Sequence, residues 1–257
     1  MVGLVKFLDA GNQNIEDLYR QELMRLEQPA ALRKRLADID NVRPFRRLYV
    51  MGCGRSGTWL LTATMSTFDD LEIVQKERPF EYFGLLTTTQ SMLVMKRDST
   101  AYQRVANIPE SIAIAYIVRH PFDVLTSHNP TSENLYHVTP HRWLGEMLTL
   151  QYLVDTGRKN TQIIRYEDLV ARPQEIQSSI ANVQGLKVRH SIDQIDQTFK
   201  APVEATAAMH GLRKIDIKSV NKFKSDPAKI AYLKEIRPSL GRLLPWVGET
   251  FEYDISL

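Results

Sequence analysis

Residues 48–58 constrain the fold more than any other stretch. An apolar run, Leu48 to Met51, ends in Gly52-Cys53-Gly54-Arg55-Ser56-Gly57-Thr58, and the helix-compatible segment Trp59 to Phe68 follows at once. Strand, glycine turn and helix in that order aim backbone N–H groups and the positive end of a helix dipole at one point, which suits an anion. Gly52, Gly54 and Gly57 carry no Cβ to hold a ligand off the backbone, and Arg55 adds a planar fork of donors matched to phosphate or sulfate oxygens. A Walker A loop has the same spacing between its glycines but needs Lys and Ser/Thr directly after the second one. Thr58 and Trp59 stand there instead. The segment therefore lacks the lysine and the magnesium ligand of γ-phosphoryl transfer. Taken alone, it is also compatible with a glycine turn that binds nothing.

A second junction repeats the pattern. Ile112 to Val118 is apolar throughout, as a strand buried on both faces of a parallel sheet must be. It runs into Arg119-His120-Pro121-Phe122-Asp123-Val124-Leu125-Thr126-Ser127. Pro121 suits the first turn of a helix, where its missing N–H costs nothing. Arg119 then leaves the carboxyl end of the strand, and Ser127 falls about two turns along the helix at ~3.6 residues per turn. An arginine and a serine so placed can hold a second phosphate. The alternative is an Arg119–Asp123 pair with Ser127 exposed.

Arg55-Ser56-Gly57-Thr58 after a strand resembles the 5′-phosphosulfate loop of sulfotransferases that use 3′-phosphoadenosine 5′-phosphosulfate (PAPS). Arg119-x-Pro121-x-Asp123-x-x-x-Ser127 is similar to that family's 3′-phosphate motif, with His120 where the family has Asn. Arg165-Tyr166-Glu167-Asp168-Leu169 resembles the family's late Tyr-Glu-Asp-Leu stretch. The three stand in family order over roughly residues 46–185, with bacterial carbohydrate- and glycolipid-type enzymes closest. The resemblance implies a PAPS-dependent sulfotransferase with no metal. Arg55, Ser56, Gly57 and Thr58 would take the 5′-phosphosulfate and Arg119 with Ser127 the 3′-phosphate, while Tyr166 would border the adenine. Gly211 to Lys222 looks like a loosened form of the family's late basic segment, which would bring Arg213 and Lys214 to the 3′-phosphate. Arg55 would stabilise charge rather than donate a proton, because a guanidinium stays protonated up to a pH above ~12.

The acceptor hydroxyl needs a base. Glu77-Arg78-Pro79-Phe80-Glu81-Tyr82-Phe83 resembles a segment of trehalose- and glycolipid-type sulfotransferases whose glutamate serves that role. Glu81 is the first candidate, Glu77 the second, and Asp98 the third. The structural alternative pairs Glu81 or Glu77 with Arg78 or Lys76. Two other classes compete with sulfotransfer: a P-loop small-molecule kinase, and a nucleotide-binding protein without catalysis.

The expected fold is a single α/β, P-loop-like three-layer domain over 45–257, a central parallel sheet flanked by helices, preceded by a helical extension over 1–44. Strands are expected near 46–51, 71–74, 92–96, 112–118 and 161–166; helices near 57–67, 122–128, 141–157, 173–183 and 227–236. A chain of 257 residues, 43% hydrophobic, can bury one full core of this kind. Net charge of +3 suits a small anionic cosubstrate and gives no case for nucleic acid. No run reaches the ~18 apolar residues of a membrane span, and the leading residues lack a signal-peptide pattern. With a single cysteine, Cys53, the expectation is a cytoplasmic enzyme. The loop at 128–140 can border the acceptor, whose class the sequence leaves open with carbohydrate or lipid-linked alcohols favoured. His128, His137 and His141 in or beside it match no metal-ligand spacing.

Overall fold

In the computed structural model, residues 45–128, 134–202, 206 and 215–257 are described. Their centre is a five-stranded parallel sheet: β1 (Arg46–Gly52), β2 (Leu71–Arg78), β3 (Met92–Arg97), β4 (Ile112–Val118) and β5 (Thr161–Arg165), in the spatial order β2-β3-β1-β4-β5. The inner strands read as continuous apolar runs because both their faces are covered. Along β1, Leu48 and Val50 enter one core while Tyr49 and Met51 enter the other. The first core is closed by α1 (Thr58–Met65), α4 (Tyr166–Ala171) and α5 (Pro173–Gln184), through Leu61, Met65, Leu169 and Ile180. On the opposite face lie α2 (Pro121–Leu125), α3 (Pro140–Asp155) and α7 (Leu243–Phe251), with α6 (Pro227–Ile236) contributing Leu233. The result is three layers.

The connection from β1 leads by way of α1 to β2 at one edge, whereas the connection from β4 leads to β5 at the other. β1 and β4 are neighbours, paired from Arg47↔Ile112 to Gly52↔Ile117. Between two such strands the outgoing chains part, and a crevice opens beyond their carboxyl ends. Both candidate anion motifs begin at that crevice.

Two elements differ from the sequence expectation. β2 runs on to Arg78 instead of stopping at Val74, because it is an edge strand whose polar residues Gln75 to Glu77 face outward across an irregularity. Val74 pairs with Met95 and Arg78 with Arg97, so Gln75, Lys76 and Glu77 stand opposite Lys96 alone. Helix α2 ends at Leu125, ahead of the expected residue 128. The Thr126 hydroxyl donates to the Phe122 carbonyl at 2.7 Å, and the backbone turns out of helical geometry there. Ser127 therefore lies beyond the helix, not two turns along it. The extension at 1–44, Arg213 and Lys214, and residues 129–133 of the expected acceptor-side loop lie outside the described residues.

Trp143 on α3 is the largest fully buried side chain. Trp143→Ala should destabilise the protein by about 3–5 kcal/mol through lost burial and the cavity left behind; urea denaturation measures it, and a cost below ~1 kcal/mol would contradict the close packing of this layer.

Candidate active site

The loop after β1 takes its shape from contacts that leave no room for side chains at two glycines. Gly52 has φ +146°, and a Cβ there would stand 2.5 Å from the Ile117 carbonyl oxygen of β4. Gly57 has φ +101°, and its Cβ would stand 2.5 Å from the ring of Tyr166. The loop is thus pressed directly onto β4 and the start of α4. Ser56 closes the turn internally: its N–H and its buried hydroxyl both donate to the Cys53 carbonyl, at 3.1 and 2.7 Å. Thr58 opens α1, where Gly57 stands at the N-cap without a side-chain acceptor. Arg55 is held at φ 66°, a left-handed conformation that costs a non-glycine residue stability and recurs at functional loops.

Arg55 reaches the second motif. Its Nε donates to Ser127 Oγ at 3.0 Å. Arg119 returns the contact, donating from Nη1 to the Arg55 carbonyl at 3.0 Å and from Nη2 to the Ser219 carbonyl at 2.6 Å. The Arg119 guanidinium lies 4.4 Å from the centre of the Tyr166 ring, and the Tyr166 hydroxyl bonds Ser219 Oγ at 2.7 Å. The Arg119–Asp123 pairing weighed as an alternative is also present, at 3.7 Å, while Asp123 Oδ2 accepts the Asn221 N–H at 2.7 Å. Arg119 Nε is buried with no hydrogen-bond partner. Burial, then the neighbouring Arg119, lowers the pKa of Arg55. Two guanidiniums crowded out of water favour an anion between them. Arg55, Arg119, Ser127 and Tyr166 are therefore one cluster in space.

The third motif anchors it. Glu167 Oε1 accepts the His120 N–H at 2.9 Å, and Oε2 accepts the Tyr253 hydroxyl at 2.8 Å. His120 Nδ1 accepts the Phe122 N–H at 3.2 Å, so Nε2 carries the proton and donates to the Asp254 carbonyl at 2.9 Å. Burial pushes the His120 pKa down, which keeps this neutral arrangement. His120 thereby ties the C-terminal residues to the start of α2.

The candidate bases part company. Glu81 accepts from Arg104 at 2.6 Å through Oε1, and its Oε2 is buried without a partner; burial is the main cause of its raised pKa. Asp98 caps the turn at Thr100 and lies 3.5 Å from Arg104. Glu77, at the β2 irregularity, pairs with the buried ammonium of Lys96, which sits 4.6 Å from the centre of the Trp59 ring at the start of α1. His137, whose N–H donates to the Ser127 carbonyl at 3.1 Å, feels the charges of both Arg55 and Glu77. Of the three carboxylates, Glu77 is the one whose cationic partner, Lys96, packs on Trp59, the residue that follows the loop. Trp59 itself packs with Ala63, Ile195 and Phe199, a core residue as its sequence context implies.

Two sulfotransferase domains of known structure share this architecture. One, from the curacin biosynthetic pathway, is 16% identical with a TM-score of 0.59 and covers 82% of this chain and 99% of its own. The other, from the olefin synthase of Synechococcus PCC 7002, is 15% identical with a TM-score of 0.60, over 82% and 96%. No protein-family model and no curated protein matches the chain. The fold is that of a sulfotransferase domain. Among the described residues no cluster of three or more His, Cys, Asp or Glu is arranged to hold a metal, and no helix is long and apolar enough to cross a membrane.

Sequence reading of this site missed Ser219 and Asn221, because it looked for cations in the 211–222 stretch while the contacts come from a hydroxyl and from backbone groups. Asp216, which caps the Lys218 N–H at 2.8 Å, was the available signal for a turn there. It also missed Arg97, Arg142 and Glu146, although Arg142 and Glu146 have the i,i+4 spacing of a helical ion pair.

Lys96 gives the site a pH signature. Burial lowers its pKa from 10.5 to about 8, against the opposing pull of Glu77. Above about 8 the folded protein gives up a proton that the unfolded chain keeps until about 10.5. The Lys96 contribution to stability is therefore fully present above the higher value and lost as pH falls through the lower one. Urea midpoints compared at pH ~7 and ~10 should show Lys96→Met removing part of a rise with pH, and identical slopes in both proteins would contradict it.

Proposed function

We propose that this protein is a sulfotransferase that moves a sulfuryl group from PAPS to a hydroxyl of an acceptor, carbohydrate or lipid-linked alcohols being favoured. The observation that carries the reading is the 3.0 Å contact between Arg55 and Ser127, which joins the two phosphate motifs at the carboxyl ends of neighbouring strands. The cluster fits an anionic nucleotide by its chemistry. It offers guanidinium, hydroxyl and backbone donors, and the buried Arg119 Nε lacks an acceptor. The shared fold of two sulfotransferase domains supports the class.

PAPS supplies the sulfuryl group, with adenosine 3′,5′-bisphosphate as its leaving group. Arg55 and the Gly57 and Thr58 backbone would bind the 5′-phosphosulfate, and Ser56 would hold the turn that presents them. Arg119 and Ser127 would bind the 3′-phosphate, Ser127 exchanging its bond to Arg55 for one to a phosphate oxygen. Tyr166 would flank the adenosine. Arg213 and Lys214, outside the described residues, are proposed to reach the 3′-phosphate. Positive charge fixed beforehand around the leaving oxygen stabilises the charge that develops there in transfer. Glu77, whose partner Lys96 packs on Trp59 just after the loop, is proposed as the base, and Glu81 as the second candidate. A carboxylate on the acceptor side would take the hydroxyl proton as the oxygen attacks in line. The single buried Cys53 fits a reducing compartment and supports a cytoplasmic enzyme.

Calorimetry separates this reading from a kinase. The protein should bind adenosine 3′,5′-bisphosphate more tightly than ATP with magnesium, and the reverse order would defeat sulfotransfer. Arg119→Ala should weaken bisphosphate binding by about 2–4 kcal/mol, since a charged partner of a bound phosphate is removed. Glu77→Gln should cut the transfer of radiolabelled sulfate from PAPS to lysate acceptors by about 100-fold or more while sparing nucleotide affinity. A fall confined to Glu81→Gln would hand the base role to Glu81, and labelling lost in neither variant would remove both carboxylates from it.

A further inference from the structure

We propose that Arg142 binds the sulfonate of the bound cosubstrate, and that Glu146 and Arg97 are the positioning residues that hold it over the loop. This role rests on the sulfotransferase reading above. Arg142 and Glu146 lie one turn apart on α3, with Arg142 Nε 3.8 Å from Glu146 Oε1. The same oxygen accepts from Arg97 Nη2 at 2.6 Å. The Glu146 side chain is 1% exposed and that of Arg97 4%, whereas Arg142 is 25% exposed and so opens toward solvent. One buried carboxylate thus serves two guanidiniums.

Arg97 is fully engaged. Besides Glu146, its Nη2 donates to the Gly52 carbonyl that ends β1, and its Nη1 donates to the Asp98 carbonyl at 2.9 Å. Arg142 instead lies against the loop itself. A Cβ on Gly54 would stand 3.2 Å from Arg142 Nη2 and 3.5 Å from its Cζ. Gly54 does not adopt a left-handed conformation. A side chain there would crowd the guanidinium.

The place of that guanidinium along the loop decides what it meets. Arg55, Arg119, Ser127 and Tyr166 gather at one flank, and the charges that act on Arg55 are those of Arg119 and Tyr166. Arg142 belongs to the other flank, against Gly54, where its charge acts on Lys96 and Cys53 and where Glu77 pairs with Lys96, while His137, bonded to the Ser127 carbonyl, lies between the two. A nucleotide anchored at Arg119 and Ser127 by its 3′-phosphate points its opposite end, the sulfonate, toward that second flank. Lys96, Arg97 and Arg142 face Glu77 and Glu146 there, which leaves an excess of positive charge for an anion. A guanidinium suits a sulfonate because its planar fork can bond two oxygens at once.

Paired titrations of the full chain with PAPS and with adenosine 3′,5′-bisphosphate isolate the sulfonate contact, since only PAPS carries that group. Arg142→Gln should weaken PAPS binding about tenfold or more and leave bisphosphate binding within about twofold, with Arg142→Lys recovering part of the loss. Glu146→Asp, which keeps the charge on a shorter tether, should produce the same selective loss. A lowered Tm with an unchanged ratio of the two affinities would make Glu146 structural only. Equal weakening of both ligands by Arg142→Gln, or no change in either, would overturn the assignment of Arg142. Wild-type protein that binds neither nucleotide would instead overturn the sulfotransferase reading, and this role with it.

Discussion

Close approach of two cationic turns at the ends of neighbouring parallel strands is the constraint on which the site depends. β1 and β4 lie side by side, so the glycine loop and the Arg119 junction meet without any long-range reach. Gly52 and Gly57 permit it, because a methyl group at either would collide with β4 or with Tyr166. Like charges brought this close repel, and the structure offsets the repulsion with carbonyl acceptors. Arg119 spans the Arg55 and Ser219 carbonyls, and Arg55 takes the Ser127 hydroxyl. Neutral acceptors leave the guanidiniums charged, and Asp123, 3.7 Å from Arg119, offsets part of that charge. On the proposed function, that residual charge is what the anionic cosubstrate would meet.

A second level of order lies behind the loop. Arg97 fastens the last carbonyl of β1, Glu146 fastens Arg97, and Tyr116 fastens the backbone of Glu146 through a hydroxyl bond of 3.2 Å. Such a buried chain stabilises only when every charge has its partner, and removing one member strands the others. Its benefit is positional. The loop carries strained and glycine backbone, so it needs fixed attachment points to keep one shape. On the other flank the Glu167 carboxylate plays the matching part, holding the His120 N–H and the Tyr253 hydroxyl and so tying the chain's end to the 119–127 segment.

Much of the fold was legible in the chain. The runs Leu48–Met51, Met92–Met95 and Ile112–Val118 are apolar on both faces, a pattern that suits a covered parallel strand, and all three are strands. Pro121, Pro140, Pro173 and Pro227 each open a helix, where a fixed φ and an absent N–H do no harm. The misjudged boundaries have local causes: the Thr126 hydroxyl that ends α2, and the outward-facing polar residues that conceal the end of β2. Within the site, Arg55, Arg119, Ser127 and Tyr166 were visible because short motifs carry them. Ser219 and Glu146 were not, since a serine in a polar turn and a glutamate on a helix announce nothing about their partners.

The sequence by itself determined the local grammar: which runs must be strands, where the backbone must be free of side chains, and which arginines end a strand. Those properties arise from residues adjacent in the chain, through sterics and hydrophobic period. Tertiary structure decided the rest. An irregular pairing of β2 with β3 sets Glu77 against Lys96, and the packing of α3 lays Arg142 on Gly54. Both depend on how separate segments stack, and charge placed by stacking leaves no periodic trace in the order of residues.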